Sequence, residues 1–349
     1  MSAALKVLAA GPGASVQDRG RRGHGRYGVS VSGPMDWAAH LTALALAGAG
    51  ENSPAIEFGP GGLSVEAVDA PVALGVAGGH AAGRWTRGGG RSVLPAPFAL
   101  TLGPGERLAL RPGPGGWGAL AARGLDPGPP VLGSHATAVR AGLGPPVPEA
   151  GARYPCAPVA GGGPMLALDP LDPLDPLDPL DPLGASPDDD PVLRVLPGPQ
   201  AHLFAADALA ALGGDAEGSA SGEPFTVTPA RDRMGVRLDG PPLIAPGGHD
   251  IVSDGLVEGA CQVPGDGHPI VLMADRAPTG GYPKIAVLAR ADLPRLARLA
   301  PGRTLRCRWV GEAEARAATA ALVDACRNPR PRRRVPLDPA WLRMHGGWR

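Results

Sequence analysis

GACQVPGDGHPIVLMADRAPTGGYP, residues 259–283, places an apolar run between two turn segments. Pro269-Ile270-Val271-Leu272-Met273 reads as a buried strand. Before it, Val263–Gly267 carries Asp266-Gly267, a dipeptide suited to a hairpin. After it, Pro278–Pro283 pairs Gly280 with Gly281. Paired glycines let the backbone take positive φ, or let another chain or a ligand come close. The flanking prolines fix φ and remove donors. Two readings stay open for this loop. It is a stiff ligand-holding loop offering the Thr279 hydroxyl, the glycine amides and Tyr282, or it is a tight barrel corner.

Outward from this stretch, the chain reads as β-rich. Val72–Val76, Leu108–Leu110 and Ile285–Leu288 are further apolar runs. Gly 54 and Pro 43 among 349 residues, with aromatics at 4%, add many turns and some disordered insertions. Lys+Arg and Asp+Glu are both 33, so the chain lacks the basic excess that nucleic acid as a main partner requires. The four cysteines, Cys156, Cys261, Cys307 and Cys326, form no Cys-x-x-Cys, so no metal site is expected. Neither a leader nor a long apolar run is evident, which leads us to expect a reduced, cytoplasmic protein with no membrane span.

In chain order, Lys6-Val7-Leu8 opens a strand, and Val16–Gly23 is a polar loop. Asp36 is an N-cap for a helix over 37–47 that stops at Gly48. Trp37, Leu41 and Leu44 share the helix face expected on a sheet. Gln17, Asp18, Arg21 and Asp36 form a dense polar set. Arg21 can grip a carboxylate or phosphate bidentately, or Asp18 and Arg21 can satisfy loop groups and each other. Gly113–Gly118 fits G-x-G-x-x-G, but the following Ala119–Ala121 is too short for a dinucleotide-binding helix, so a hairpin turn is expected. No P-loop motif occurs. Ser134 and His135 are adjacent, so a strand would point them apart and they make no nucleophile–base pair.

Five Leu-Asp-Pro triplets fill 168–182. Proline at every third residue forbids a helix, and the segment reads as an extended acidic spacer. The expected organisation is therefore an N-terminal subdomain over 1–165, a linker over 166–190, a C-terminal subdomain over 191–326 and a basic tail over 327–349. In the second half, strands are expected at 192–196, 225–227 and 304–310, with helices at 202–212 and 312–326. Asp292 is expected to cap a short helix. For Asp232–Leu238 an exposed hairpin with a salt bridge, worth little, is one of two readings, the other giving Arg233 a part in the site.

Three segments resemble signatures of the 5-oxoprolinase C-subunit family, also called allophanate hydrolase subunit 2-like, KipA-like or biotin-dependent carboxyltransferase. The first is 259–283. The second is Gln17–Gly23 with Gly28–Asp36, Asn52 and Glu57. The third is Asp232-Arg233-Met234-Gly235-Val236-Arg237-Leu238. Weaker matches lie at 131–137 and 142–144, where Pro145 replaces a family glycine. The resemblance implies a mainly β fold of two cyclophilin-like β-barrel subdomains. It also implies ATP-dependent opening of 5-oxo-L-proline to L-glutamate, with ATP and Mg2+ used in a complex with the A and B subunits of the enzyme. The alternatives are a carboxyltransferase-type chain acting on urea or a related amide, and a non-enzymatic KipA-like regulator of a KipI-like partner.

The chemistry names the candidates. Phosphorylating a lactam oxygen calls for cations and amide donors around the developing charge. Arg21, Asp18, Arg233 and Thr279 are assigned to catalysis. Gln17, Asp36, Gln262, Asp275, Gly280, Gly281, Tyr282 and Lys284 are assigned to binding substrate or nucleotide. Neither Lys6 nor Lys284 follows a methionine, so biotin would ride on another chain. Ala277 and Pro278 stand where the family carries Gln and Thr, which removes one amide and one hydroxyl.

Overall fold

The computed structural model describes residues 2–78, 81–87, 90–159, 166–167, 190–215 and 221–329. The Leu-Asp-Pro triplets and nearly all of the basic tail lie outside these. Two compact units emerge. The first holds the described parts of Met1–Gly20, Asp36–Leu180 and Val323–Arg349, and the second those of Arg21–Met35 and Asp181–Leu322. Neither unit is one continuous stretch.

Among its described residues the first unit contains twelve strands. They are β1 (Ala3–Ala10), β2 (Ser15–Gln17), β3 (Ala55–Phe58), β4 (Leu63–Val68), β5 (Val72–Gly78), β6 (Ala82–Arg87), β7 (Gly90–Pro95), β8 (Phe98–Leu102), β9 (Arg107–Arg111), β10 (Gly118–Ala122), β11 (Arg153–Cys156) and β12 (Leu166–Ala167). They form two six-stranded sheets, ordered β11-β1-β4-β9-β6-β7 and β12-β8-β5-β10-β3-β2. Alternation in β4, Leu63-Ser64-Val65-Glu66-Ala67, turns every second side chain into a core shared with Leu5, Val7, Phe58, Phe98 and Leu120. By contrast, β3 and β10 are buried throughout. The reason is helix α1 (Trp37–Ala47), which covers the far side of that sheet and makes it two-faced.

Asp36 caps α1 by accepting from the Ala39 amide at 2.9 Å, and Gly48 ends it in the left-handed region. The face laid on the sheet is Ala39, Ala43, Leu44 and Ala47, not the expected Trp37–Leu41–Leu44 set. Small residues win because the approach is close. A Cβ on Gly75 would stand 2.1 Å from the Ala43 carbonyl oxygen. The 113–118 turn is also a correction. Its flanking strands β9 and β10 pair in different sheets, so it crosses between sheets and closes no hairpin.

The second unit contains β13 (Val192–Pro197), β14 (Phe225–Arg231), β15 (Gly235–Asp239), β16 (Asp254–Gly255), β17 (Ala260–Gln262), β18 (Ile270–Leu272), β19 (Thr279–Gly280), β20 (Lys284–Leu288) and β21 (Thr304–Trp309). Seven of these close a barrel ordered β13-β20-β17-β18-β15-β14-β21. Leu193, Val195, Phe225, Val227, Val236, Leu238, Leu305 and Cys307 are buried, and the residues between them alternate outward. This unit also holds helices α2 (Ala206–Gly213) and α3 (Leu293–Arg298), the last five residues of α4 (Glu312–Arg327) are counted in the first unit, and four short 3-10 turns complete the described elements. The mainly β reading therefore stands.

Asp292 does not cap α3 with its side chain. Its fully buried carboxylate instead accepts three bonds from Arg194, through the backbone amide, Nε and Nη2 at 2.7–2.8 Å. Cys156, Cys261 and Cys307 are buried thiols. Burial pushes Cys156 and Cys261 up to about 12 and Cys307 higher still. They are inert packing groups.

Candidate functional site

The residues singled out from sequence fall into both units. In the first, Gln17 is fully buried and donates to Ser15 Oγ at 2.9 Å and the Thr137 carbonyl at 3.0 Å. Asp18 is nearly as buried. It accepts from the Gly20 amide at 2.8 Å, and from Ser134 Oγ and the His135 amide at 2.6 Å each. Both carboxylate oxygens are thereby engaged in tying two loops together. Asp36 serves as the helix cap. These geometries give Gln17, Asp18 and Asp36 structural work in their own unit. His40, one turn into α1, is also buried, and burial lowers its pKa to about 4.

The remaining candidates all belong to the second unit, and short loops gather most of them. The 259–283 stretch folds as expected at its start: β17 and β18 pair through the turn at Asp266-Gly267, where Gly267 has φ +78°. The Gly280-Gly281 pair takes one of its two expected roles. Neither glycine sits at positive φ, and the requirement is close approach. A Cβ on Gly280 would stand 2.9 Å from both Gln262 Nε2 and Leu256 Cδ1. Strand β19 pairs with β16, Asp254 facing Gly280 and Gly255 facing Thr279. Beyond it the Leu256 amide donates to the Pro278 carbonyl at 2.9 Å, and the Gly259 amide to the Leu272 carbonyl at 2.8 Å. Residues 254–259 therefore run beside 272–280 as a ribbon.

One end of this ribbon carries Lys284, whose side chain is 2% exposed. Its Nζ bonds Asp254 Oδ2 at 2.9 Å, while half of the Asp254 side chain remains in solvent. The Lys284 hydrogen bond, then the Gly255 amide, hold the Asp254 carboxyl below its ordinary range. Gln200 joins them, accepting from the Lys284 amide at 3.2 Å. Gln262 donates to the Tyr282 carbonyl at 3.4 Å, leaving Tyr282 41% exposed. Thr279 is exposed.

The other end is rich in arginine. Asp232 Oδ1 accepts from the Met234 amide at 2.7 Å and shapes the β14–β15 turn. That turn aims Arg233 at Asp275, with Nε to Oδ2 at 2.8 Å and Nη2 to Oδ1 at 3.2 Å. The pair is partly buried, each side chain 13% exposed, unlike the exposed bridge of the alternative reading. Arg233 Nη2 also donates to the Gly33 carbonyl at 2.5 Å, and Ser30 Oγ donates to the Arg276 carbonyl at 2.8 Å. So the 21–35 segment is fastened onto these loops at two points. Arg21 in that segment is 1% exposed, and its amide donates to the Val31 carbonyl at 2.8 Å.

Sequence reasoning missed Arg22, Ser32, Glu258 and Arg276. Arg276 spans the ribbon, Nε to the Leu256 carbonyl at 3.4 Å and Nη1 to the Met273 carbonyl at 3.3 Å. Burial, against the pull of Glu258, lowers its pKa, and Arg22 lowers it further. Arg22 is exposed and has no hydrogen-bond or ion-pair partner among the described residues. Burial pushes the Glu258 carboxyl above its ordinary range, opposed by Arg276, Arg290, Arg22 and Arg233. Arg22, Arg233, Arg276 and Arg290 against Glu258 and Asp275 leave a cationic surplus. Surplus guanidinium charge on half-buried loops suits an oxyanion. The only signal in the sequence was arginine next to signature residues. Among the described residues no group of three or more His, Cys, Asp or Glu gathers as a metal site.

Residues 27–309 match the family model described as "Carboxyltransferase domain, subdomain A and B". The chain belongs to this carboxyltransferase family. It is 33% identical to the 5-oxoprolinase C subunit of Escherichia coli (strain K12), over 86% of this chain and 89% of that protein. Among solved structures, TTHA0988 matches with TM-score 0.70 and 31% identity, covering 89% of this chain and 56% of that one. The Kluyveromyces lactis urea carboxylase matches with TM-score 0.77 and 25% identity, covering 97% of this chain and 30% of that one. The carboxyltransferase chain thus spans just over half of TTHA0988 and under a third of the urea carboxylase. No described helix is long and apolar enough to cross a membrane.

Proposed function

We propose that this carboxyltransferase-family chain is the C subunit of an ATP-dependent 5-oxoprolinase, working in the cytoplasm with the A and B subunits to open 5-oxo-L-proline to L-glutamate. The observation that carries the reading is its kinship over most of its length with a 5-oxoprolinase C subunit. The arginine-rich end of the ribbon supports it. A lactam resists water because its carbonyl carbon is a poor electrophile. Phosphate from ATP on the lactam oxygen makes that oxygen a leaving group, and negative charge grows around it. Arg22 and Arg276 are the groups suited to hold an oxyanion, carboxylate or phosphate, at this site. Arg233 acts one step back, fixing the 21–35 segment through Gly33 and itself held by Asp275. At the other end, Lys284 on Asp254 and Gln262 on the Tyr282 carbonyl keep Thr279, Gly280, Gly281 and Tyr282 in place.

The test is reconstitution. Full-length chain mixed with the A-type and B-type 5-oxoprolinase proteins should hydrolyse ATP only when 5-oxoproline is added, releasing glutamate. A binary complex with the B-type protein and no 5-oxoproline-dependent ATP hydrolysis in the ternary mixture overturns the reading in favour of a regulator. The urea carboxylase likeness favours one second reading, carboxyl transfer from a separately carried carboxybiotin to a urea-like amide. Urea-dependent turnover that needs a biotinylated carrier would select it.

A further inference from the structure

Residues 30–33 cross the arginine-rich end of the ribbon between two anchors, Ser30 Oγ on the Arg276 carbonyl and the Gly33 carbonyl under Arg233 Nη2. Between them Ser32 takes φ +59°, and Gly33 takes φ +104°. The left-handed region disfavours any residue with a Cβ, and glycine adopts it freely. Ser32 is 7% exposed, and its hydroxyl has no hydrogen-bond partner among the described residues. A buried hydroxyl without a partner is a second cost at the same residue. Glycine would avoid both. Local structure therefore gives no reason for serine here, whereas a ligand would. Strain of this kind collects where a binding group must be held ready.

We propose that Ser32 is a substrate-binding hydroxyl of the arginine-lined site, hydrogen-bonding the carboxylate of a small lactam acid that Arg22 and Arg276 attract. The proposal rests on the function proposed above, with 5-oxoproline as that acid. A hydroxyl both donates and accepts, so Ser32 can donate to a carboxylate oxygen and accept from the lactam N–H.

The test is calorimetric titration of the full chain, wild type and Ser32→Gly, with 5-oxoproline, with 2-pyrrolidone (the same lactam without its carboxylate) and with inorganic phosphate. Glycine keeps the backbone geometry, so the variant should melt no lower than wild type. Its affinity for 5-oxoproline should fall about tenfold, the worth of one hydrogen bond to a charged group. Wild type should bind 2-pyrrolidone far more weakly than 5-oxoproline. Unchanged 5-oxoproline affinity in Ser32→Gly, no 5-oxoproline binding by wild type, or an unfolded Ser32→Gly each overturns the proposal. Phosphate binding as strong as that of 5-oxoproline overturns the carboxylate assignment. If wild type binds 5-oxoproline but the reconstituted complex does not turn it over, the proposed function falls and the Ser32 proposal stands. Turnover with unchanged affinity in Ser32→Gly reverses that outcome.

Discussion

Removing Arg233 should loosen the arginine site before it unfolds the barrel. Arg233 makes two bonds to Asp275 and one to the Gly33 carbonyl, with both charged side chains 13% exposed. Truncating one partner of a buried ion pair costs about 3–5 kcal/mol, mostly because the other charge stays buried and unpaired. The remaining exposure places Arg233→Ala at the low end, about 3 kcal/mol. Asp275→Ala strands the guanidinium in the same way. The double variant removes both charges, so the singles should not add, and the coupling should be about 2 kcal/mol. Equilibrium urea unfolding of wild type, both singles and the double closes this cycle. Arg233→Ala should also speed amide exchange over residues 30–35, because the Gly33 anchor is gone. Coupling below about 0.5 kcal/mol, in the range of independent sites, would refute the clamp.

Other outcomes follow from the same geometry. His40 has a folded pKa of about 4, below its ordinary 6.5, so the folded state holds the neutral ring. Its contribution is full above pH 6.5 and is lost as pH falls toward 4, by about 3 kcal/mol. His40→Leu should therefore flatten the pH dependence of the urea midpoint between pH 7 and 4, and parallel curves would contradict this. Gly75→Ala drives a Cβ into the Ala43 carbonyl and should cost about 3 kcal/mol by thermal melt. Gly280→Ala meets only the ends of Gln262 and Leu256 side chains, which can move, and should cost about 1 kcal/mol or less. A larger loss at Gly280 than at Gly75 would invert the reasoning.

The alternating strands were legible because burial on one face writes itself as period two, as in Leu63–Ala67 and Val236–Leu238. Asp36 and Gly48 were legible because caps are local. Pairing across sheets was not, and so the 113–118 turn was read as a hairpin: nothing within those residues says that β9 and β10 belong to different sheets. Asp292 looked like a cap by position, but Arg194, far away in sequence, takes its carboxylate. Within the candidate site, Arg233 and Asp275 stood out through their motifs. Arg22, Glu258 and Arg276 did not, since their meaning lies in charges brought together from distant loops. Asp18 shows the converse: a charged motif residue whose oxygens are engaged by its neighbours.

The most direct test of the arginine site is 5-oxoproline-dependent ATP hydrolysis by the reconstituted complex carrying Arg22→Ala with Arg276→Ala. These arginines should be worth at least tenfold in kcat/KM together, given about 1.5 kcal/mol for a charge-assisted hydrogen bond. The complex should assemble as wild type does. Turnover unchanged from wild type would contradict an oxyanion site at this end of the ribbon.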